Sequence, residues 1–210
     1  MYLSRIELDE NKRETTRAIG SPGIIHGAVE SSIDGVRERN LWRIDRFCGK
    51  CYLLILSRGK PNLERISSQF GKEGDAGEIK DYDALISRIR VGQSWRFRLR
   101  GNPVHSEGSG KHGERGKVYA HVTTDQQKEW LLEKAEKNGF SVEPDGFDVV
   151  DTRWYKFAKH HGAKDTVTIR TATYEGVLTV TDAELFRAAL QEGVGRAKVY
   201  GCGLLTLMSL

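Results

Sequence analysis

Cysteine is scarce in this chain. Three occur among 210 residues, an odd count that fits a reducing, cytoplasmic setting better than a disulfide framework. Long apolar runs are missing too. No eighteen consecutive apolar residues are present, so no membrane-crossing helix and no membrane partner are expected. The opening Met-Tyr-Leu-Ser-Arg has the pattern of a strand, not of a cleaved leader. Metal-ligating sets are equally thin. Cys48-Gly49-Lys50-Cys51 could supply half of a zinc site, but Cys202 stands alone and the histidines are scattered. The pair therefore reads as two residues flanking a two-residue hairpin turn, with no metal and no cofactor. A Walker A loop is absent as well, because Gly116-Lys117 is followed by Val118.

Charge, by contrast, is plentiful. Charged residues make up 30% of the chain, and 33 Lys and Arg stand against 29 Asp and Glu for a net charge of +4. That mild basicity permits an anionic partner without demanding one.

Periodicity organises the chain into two units. Residues 2–8 alternate apolar and polar and predict a strand. Residues 11–20 are polar and basic, with Arg13 and Arg17 four apart on one possible helical face. Ser21-Pro22 then starts a helix, with Ile25, Val29, Ile33 and Val36 as its buried stripe and His26 one residue off that stripe. The helix is expected to stop near Gly35. Two β-rich runs follow at 41–47 and 52–56, then a helix over 62–70 ended by Gly71, a loop over 72–80 and a short helix within 81–89. Residues 94–100 alternate strictly, Trp95, Phe97 and Leu99 inward and Arg96, Arg98 and Arg100 outward. Strand, helix, strand, strand, helix, strand is the split βαβ order of a ferredoxin-like fold, here assigned to residues 1–104.

Residues 105–116, with their glycines and with Lys111, His112 and Arg115, read as a flexible basic linker. Residues 117–210 repeat the order of elements. A strand over 117–122 begins with Lys117, and Thr124 with Gln127 forms a capping box for a helix running to Asn138. Strands follow from 147, over 166–174 and over 177–180, and Thr181 with Glu184 caps a last helix. The expected class is α+β, two ferredoxin-like domains in tandem.

Three basic stretches are candidate contacts for a nucleic acid, as are Arg13, Arg17, Lys111, Arg115 and Lys117, basic residues in regions that the fold would leave open. Residues 151–164 interleave Arg153, Lys156, Lys159 and Lys164 with Trp154, Tyr155 and two histidines. Cations meet phosphates and rings stack on bases, which favours RNA over a solvated hairpin tip. Residues 193–207 hold four glycines with Arg196 and Lys198, between a helix and a closing strand. Glycine lets a phosphate backbone approach the main chain, although a tight turn with a bulge needs the same residues. The order is the reverse of a Rossmann fingerprint, in which the glycines follow a strand and open a helix. Arg98 and Arg100 either grip RNA along an open sheet or line its wet side.

Several motifs together resemble the CRISPR-associated endoribonuclease CasE family. They are the opening Met-Tyr-Leu-Ser-Arg, His26 in its helix, Leu41-Trp42-Arg43, residues 97–103 (Phe-Arg-Leu-Arg-Gly-Asn-Pro), residues 174–178 (Tyr-Glu-Gly-Val-Leu) and the stretch from Gly193 through Leu205. The resemblance spans essentially the whole chain. It implies two ferredoxin-like domains, metal-independent cleavage of a CRISPR repeat RNA hairpin, and retention of the cut RNA with the other subunits of Cascade. It also implies that His26 is catalytic, where a histidine beside an apolar stripe is otherwise more often structural. One position departs from the family pattern: Gly23 stands where well-known members carry a tyrosine. That departure leaves an RNA-binding or assembly subunit without catalysis as the alternative.

Overall fold

The computed structural model describes residues 1–35, 38–108, 116–158 and 165–210. Its first unit runs β1 (Tyr2–Leu8), α1 (Arg13–Gly20), α2 (Pro22–Ser31), β2 (Leu41–Phe47), β3 (Lys50–Ser57), α3 (Glu64–Phe70), β4 (Glu78–Asp81) and α4 (Asp83–Ile86). The second runs β5 (Ser94–Gly101), β6 (Val104–Glu107), β7 (Lys117–Ala120), α5 (Thr124–Lys137), β8 (Phe140–Ser141), β9 (Phe147–Ala158), β10 (Thr166–Val180), α6 (Ala183–Glu192), a 3₁₀ turn over Lys198–Tyr200 and β11 (Leu205–Met208).

The first sheet has the order β2-β3-β1-β4, antiparallel throughout, which is the ferredoxin-like arrangement. β4 completes it, within what the sequence suggested was mostly loop. Only Ile79 of β4 is even half-buried, so this edge strand carries no apolar alternation to betray it. Ser94–Gly101, assigned from its alternation to the first unit, lies instead in the second sheet. There β5 pairs with β10 on one side and β11 on the other, giving the order β11-β5-β10 with β8 and β9 both on β10. Packing explains the exchange. A Cβ on Gly101 would fall 2.8 Å from the Trp130 ring of α5, so β5 and α5 are pressed together as neighbours in one layer pair. Lys117–Ala120, expected to open the second unit's sheet, pairs only with β6 in a separate hairpin. Sheet membership therefore changes between Asp81 and Ser94, upstream of 105–116.

Two cores result. Ile6, Ile25, Val29, Trp42, Leu53 and Ile66 fill the first, beneath α1, α2 and α3. Phe97, Leu99, Trp130, Tyr174, Phe186 and Leu205 fill the second, and Leu41 and Leu56 of the first sheet insert into it. The two sheets thus share apolar surface. Arg43 of β2, 1% exposed, ties them with hydrogen bonds. Its Nη1 donates to the carbonyls of Arg98 and Leu204 at 2.8 Å each, and Nη2 donates to Thr206 Oγ1 at 2.8 Å. Asp45 balances the charge in a two-pronged contact at 2.8 and 2.6 Å.

Local signals mostly sit one residue from where they were expected. Thr123 with Gln126, not Thr124 with Gln127, makes the capping box of α5. Gln127 is instead buried and donates to the carbonyl of His121 at 3.0 Å. Asp182, not Thr181, caps α6 by accepting from the amides of Glu184 and Leu185, where a carboxylate also favours the helix dipole. α2 begins at Pro22 as expected, without a side-chain bond from Ser21, and ends at Ser31, short of Gly35. The β2–β3 turn consists of Cys48 and Gly49, with φ of 50° and 73°, the positive pair that a two-residue hairpin requires.

Candidate active site and nucleic-acid interface

α2 carries His26 half-buried beside the buried Pro22, Ile25 and Val29. The 3₁₀ turn of the glycine-rich stretch packs against α2 and β2, and β9 reaches α2 from the second sheet. His26 therefore rides on a helix that both units touch. At Gly23, one turn before it, an added Cβ would meet only Cε2 of Phe157, at 3.8 Å. Phe157 in turn meets Tyr200 edge to face, ring centroids 5.0 Å apart. The position where the resemblance would place a tyrosine thus faces Phe157 of the second unit, with Tyr200 behind that ring. The glycines of this stretch seat it at the junction: Gly193 has φ 76° as a helix-ending residue needs, Gly201 has φ 78°, and a Cβ added there would strike the Trp42 ring at 2.6 Å.

The basic candidates scatter over several faces. Arg13 and Arg17 are exposed on one side of α1, with Glu14 between them in a shallow depression. Arg196 leaves the glycine-rich stretch and donates to Ser106 Oγ of β6 at 3.2 Å, beside the exposed Lys117 of β7. Lys198 turns the other way. Burial first, then the positive charge of Arg39, holds its pKa below the usual lysine value. Residues 151–158 are strand and not hairpin tip, so their side chains alternate. Arg153, Tyr155 and Phe157 face the first unit; Trp154 and Lys156 face away, with Arg170 over the Trp154 ring at 5.3 Å. Lys111, Arg115, Lys159 and Lys164 lie outside the described residues.

Arg98 and Arg100 do not form an open basic face. Arg98 pairs with Asp45 at 3.2 Å and with Glu175. Arg100 is 7% exposed and donates to the Tyr155 hydroxyl. Both line a cleft between the sheets, together with Arg46, Asp151, Arg153 and Tyr155. Arg46 was not singled out from the sequence, and Arg43 and Tyr155 figured there only as members of longer stretches. The outward alternation of 94–100 was the available signal, but it says nothing of a second sheet facing those arginines.

Metal-ligating side chains gather nowhere in threes among the described residues, and no described helix is long and apolar enough to cross a membrane. Cys51 and Cys202 are buried, their thiols pushed up by burial to about 11 and about 12, whereas Cys48 is exposed.

At the β6–β7 hairpin, the His105 and His121 rings lie 5.0 Å apart. Burial, then the charge of His105, holds His121 below the usual histidine value of 6.5. Its folded form resists a proton that the unfolded chain accepts, so this contribution is intact above that value and fades as pH falls through it. The protection of β6 and β7 amides, as exchange relative to the intrinsic rate at each pH, should fall between about pH 7.5 and pH 5, and less so in His121→Gln. An equal fall in both proteins would place the sensitivity elsewhere.

The comparisons with known proteins bear on this arrangement. A family model described as CRISPR associated protein matches residues 1–208. The chain belongs to that family. Among curated proteins, it is 27% identical over 220 residues to the CRISPR-associated endoribonuclease Cse3 of Thermus thermophilus, an alignment covering 99% of each chain. It is 29% identical over 126 residues to the CRISPR system Cascade subunit CasE of Escherichia coli K12, covering 59% of this chain and 62% of that one. Among solved structures, a CRISPR endoribonuclease Cse3 bound to a 19-nucleotide RNA superposes with a TM-score of 0.81 at 23% identity, over 99% of this chain and all of the other. The last likeness establishes the family's fold of two tandem ferredoxin-like units here.

Proposed function

We propose that this family member is an endoribonuclease that cuts CRISPR repeat RNA and keeps the processed hairpin within Cascade. The observation that carries this reading is the end-to-end match to a curated endoribonuclease, 99% of each chain. The placement of His26 agrees with it: an imidazole on a helix that both units touch. In the proposed chemistry a ribose 2′-hydroxyl gives up its proton and attacks the adjacent phosphorus. The bond to the 5′-oxygen breaks, and that oxygen takes a proton as it leaves. His26 moves one of these protons, the work to which an imidazole side chain is generally suited near neutral pH. Alignment of the attacking and leaving oxygens, and cations around the crowded phosphate, supply the rest. No metal takes part in this scheme.

The test is direct. Repeat RNA should yield a 2′,3′-cyclic phosphate and a 5′-hydroxyl at an unchanged rate in EDTA, and a 2′-deoxy substitution just upstream of the cut should abolish cleavage. Cutting of the deoxy substrate would refute the internal nucleophile. Gly23 favours one other reading, an RNA-holding assembly subunit, and tight binding of intact repeat RNA without any cleavage would establish it.

A further inference from the structure

We propose that the arginine-lined cleft between the two sheets is a phosphate subsite for unpaired RNA flanking the hairpin; this rests on the reading that RNA is the substrate. The starting observation is a charge without a counter-charge. Arg46 pairs with Glu10, Arg98 with Asp45 and Glu175, and Arg153 with Asp151. Arg100, the most buried of the four cleft arginines, pairs with no carboxylate among the described residues. Its Nη2 donates to the Tyr155 hydroxyl, its guanidinium lies 5.0 Å from the centre of that ring, and its Nε has no partner. Cys202 lies close by, but burial keeps its thiol protonated. A buried cation is costly unless it is paired, and a guanidinium fork matches two phosphate oxygens.

The space it lines suits such a ligand. The cleft encloses about 160 Å³, many times what a single water needs, and its mouth carries Arg46 and Arg153. Their carboxylate partners are solvent-exposed, and ion pairs of that kind are weak enough to exchange for a phosphate. Asp151 alone opposes an anion at the cleft wall.

Position then selects the RNA. Tyr155 and Phe157 share one face of β9, about 7 Å apart along the strand, and Phe157 abuts α2 at Gly23. A strand leaving the His26 helix along β9 therefore runs into the cleft. A duplex is too wide to enter, so the occupant is single-stranded.

The experiment compares uncleavable repeat hairpins, 2′-deoxy at the cut, with and without a few unpaired nucleotides on either side of the stem. For each protein the quantity read is the ratio of the two Kd values, which normalises for any general loss of binding. In the wild type one flank should tighten binding roughly tenfold, with a salt slope steeper by about 0.7 for each phosphate gripped. In Arg46→Gln/Arg153→Gln the ratio should fall close to one. Arg100→Lys, which keeps the charge and loses the fork, should lower it in part. A methylphosphonate at one flank position should weaken the wild type and leave the double variant indifferent. A wild-type ratio of one, or a ratio unchanged in the double variant, overturns the inference while leaving RNA cleavage intact. Failure of the wild type to bind the bare hairpin overturns both.

Discussion

Replacing His26 by alanine should lower single-turnover cleavage of repeat RNA by roughly 10²–10⁴-fold, the usual contribution of a positioned acid or base, with binding altered only a few-fold. The side chain borders the buried stripe of α2 without filling it, so its loss opens no cavity in the core. Its helix, α2, touches both β9 and the 3₁₀ turn of the second unit. Rate and affinity measured on the same preparation separate the two roles. Cleavage within roughly tenfold of wild type removes His26 from proton transfer. A parallel loss of affinity assigns it to grip instead.

The largest effect on stability should come from a residue with no part in the chemistry. Arg43→Ala strips Asp45 of its two-pronged partner, takes the Arg43 donor from the buried Leu204 carbonyl and from the Thr206 hydroxyl, and leaves the Arg98 carbonyl only the 3.3 Å bond from Thr206. Breaking a buried pair from one side costs about 3–5 kcal/mol, which for a chain of this size lowers Tm by about 6–20 °C. Arg43→Met should cost less, because the methylene stem still fills the space between the sheets. Thermal unfolding of the three proteins decides the matter, and a Tm for the alanine variant within about 2 °C of wild type would show that the bonds are replaced by water.

These residues also show where reading the chain succeeds and where it stops. The place of His26 at the border of the buried stripe was legible because helical spacing fixes which residues lie there. Gly193 was legible because ending a helix is a local event with a local requirement on φ. The element order was legible enough to reveal two ferredoxin-like units. Sheet membership was not. Alternation in 94–100 says that a strand has two faces but not which neighbours it pairs with, and pairing is decided by contacts far along the chain, such as Gly101 under Trp130. The surroundings of the arginines were hidden for a related reason. Arg98 and Arg100 sit on the polar side of their strand, as alternation requires, yet that side meets β2 and β9 instead of water. A charge buried between two sheets looks identical in sequence to one facing solvent. Capping boxes slipped by one residue wherever two adjacent side chains could each serve.

One feature of the β2–β3 turn has a practical reach. Cys48 owes its place to a hairpin that needs two positive φ values, and it is the exposed thiol, while burial keeps Cys51 and Cys202 in their unreactive protonated forms. The natural chain therefore carries a single attachment point for a fluorophore, at the tip of the strand pair that also bears Arg43 and Arg46. A dye there reports on the gap between the sheets without any change to the sequence.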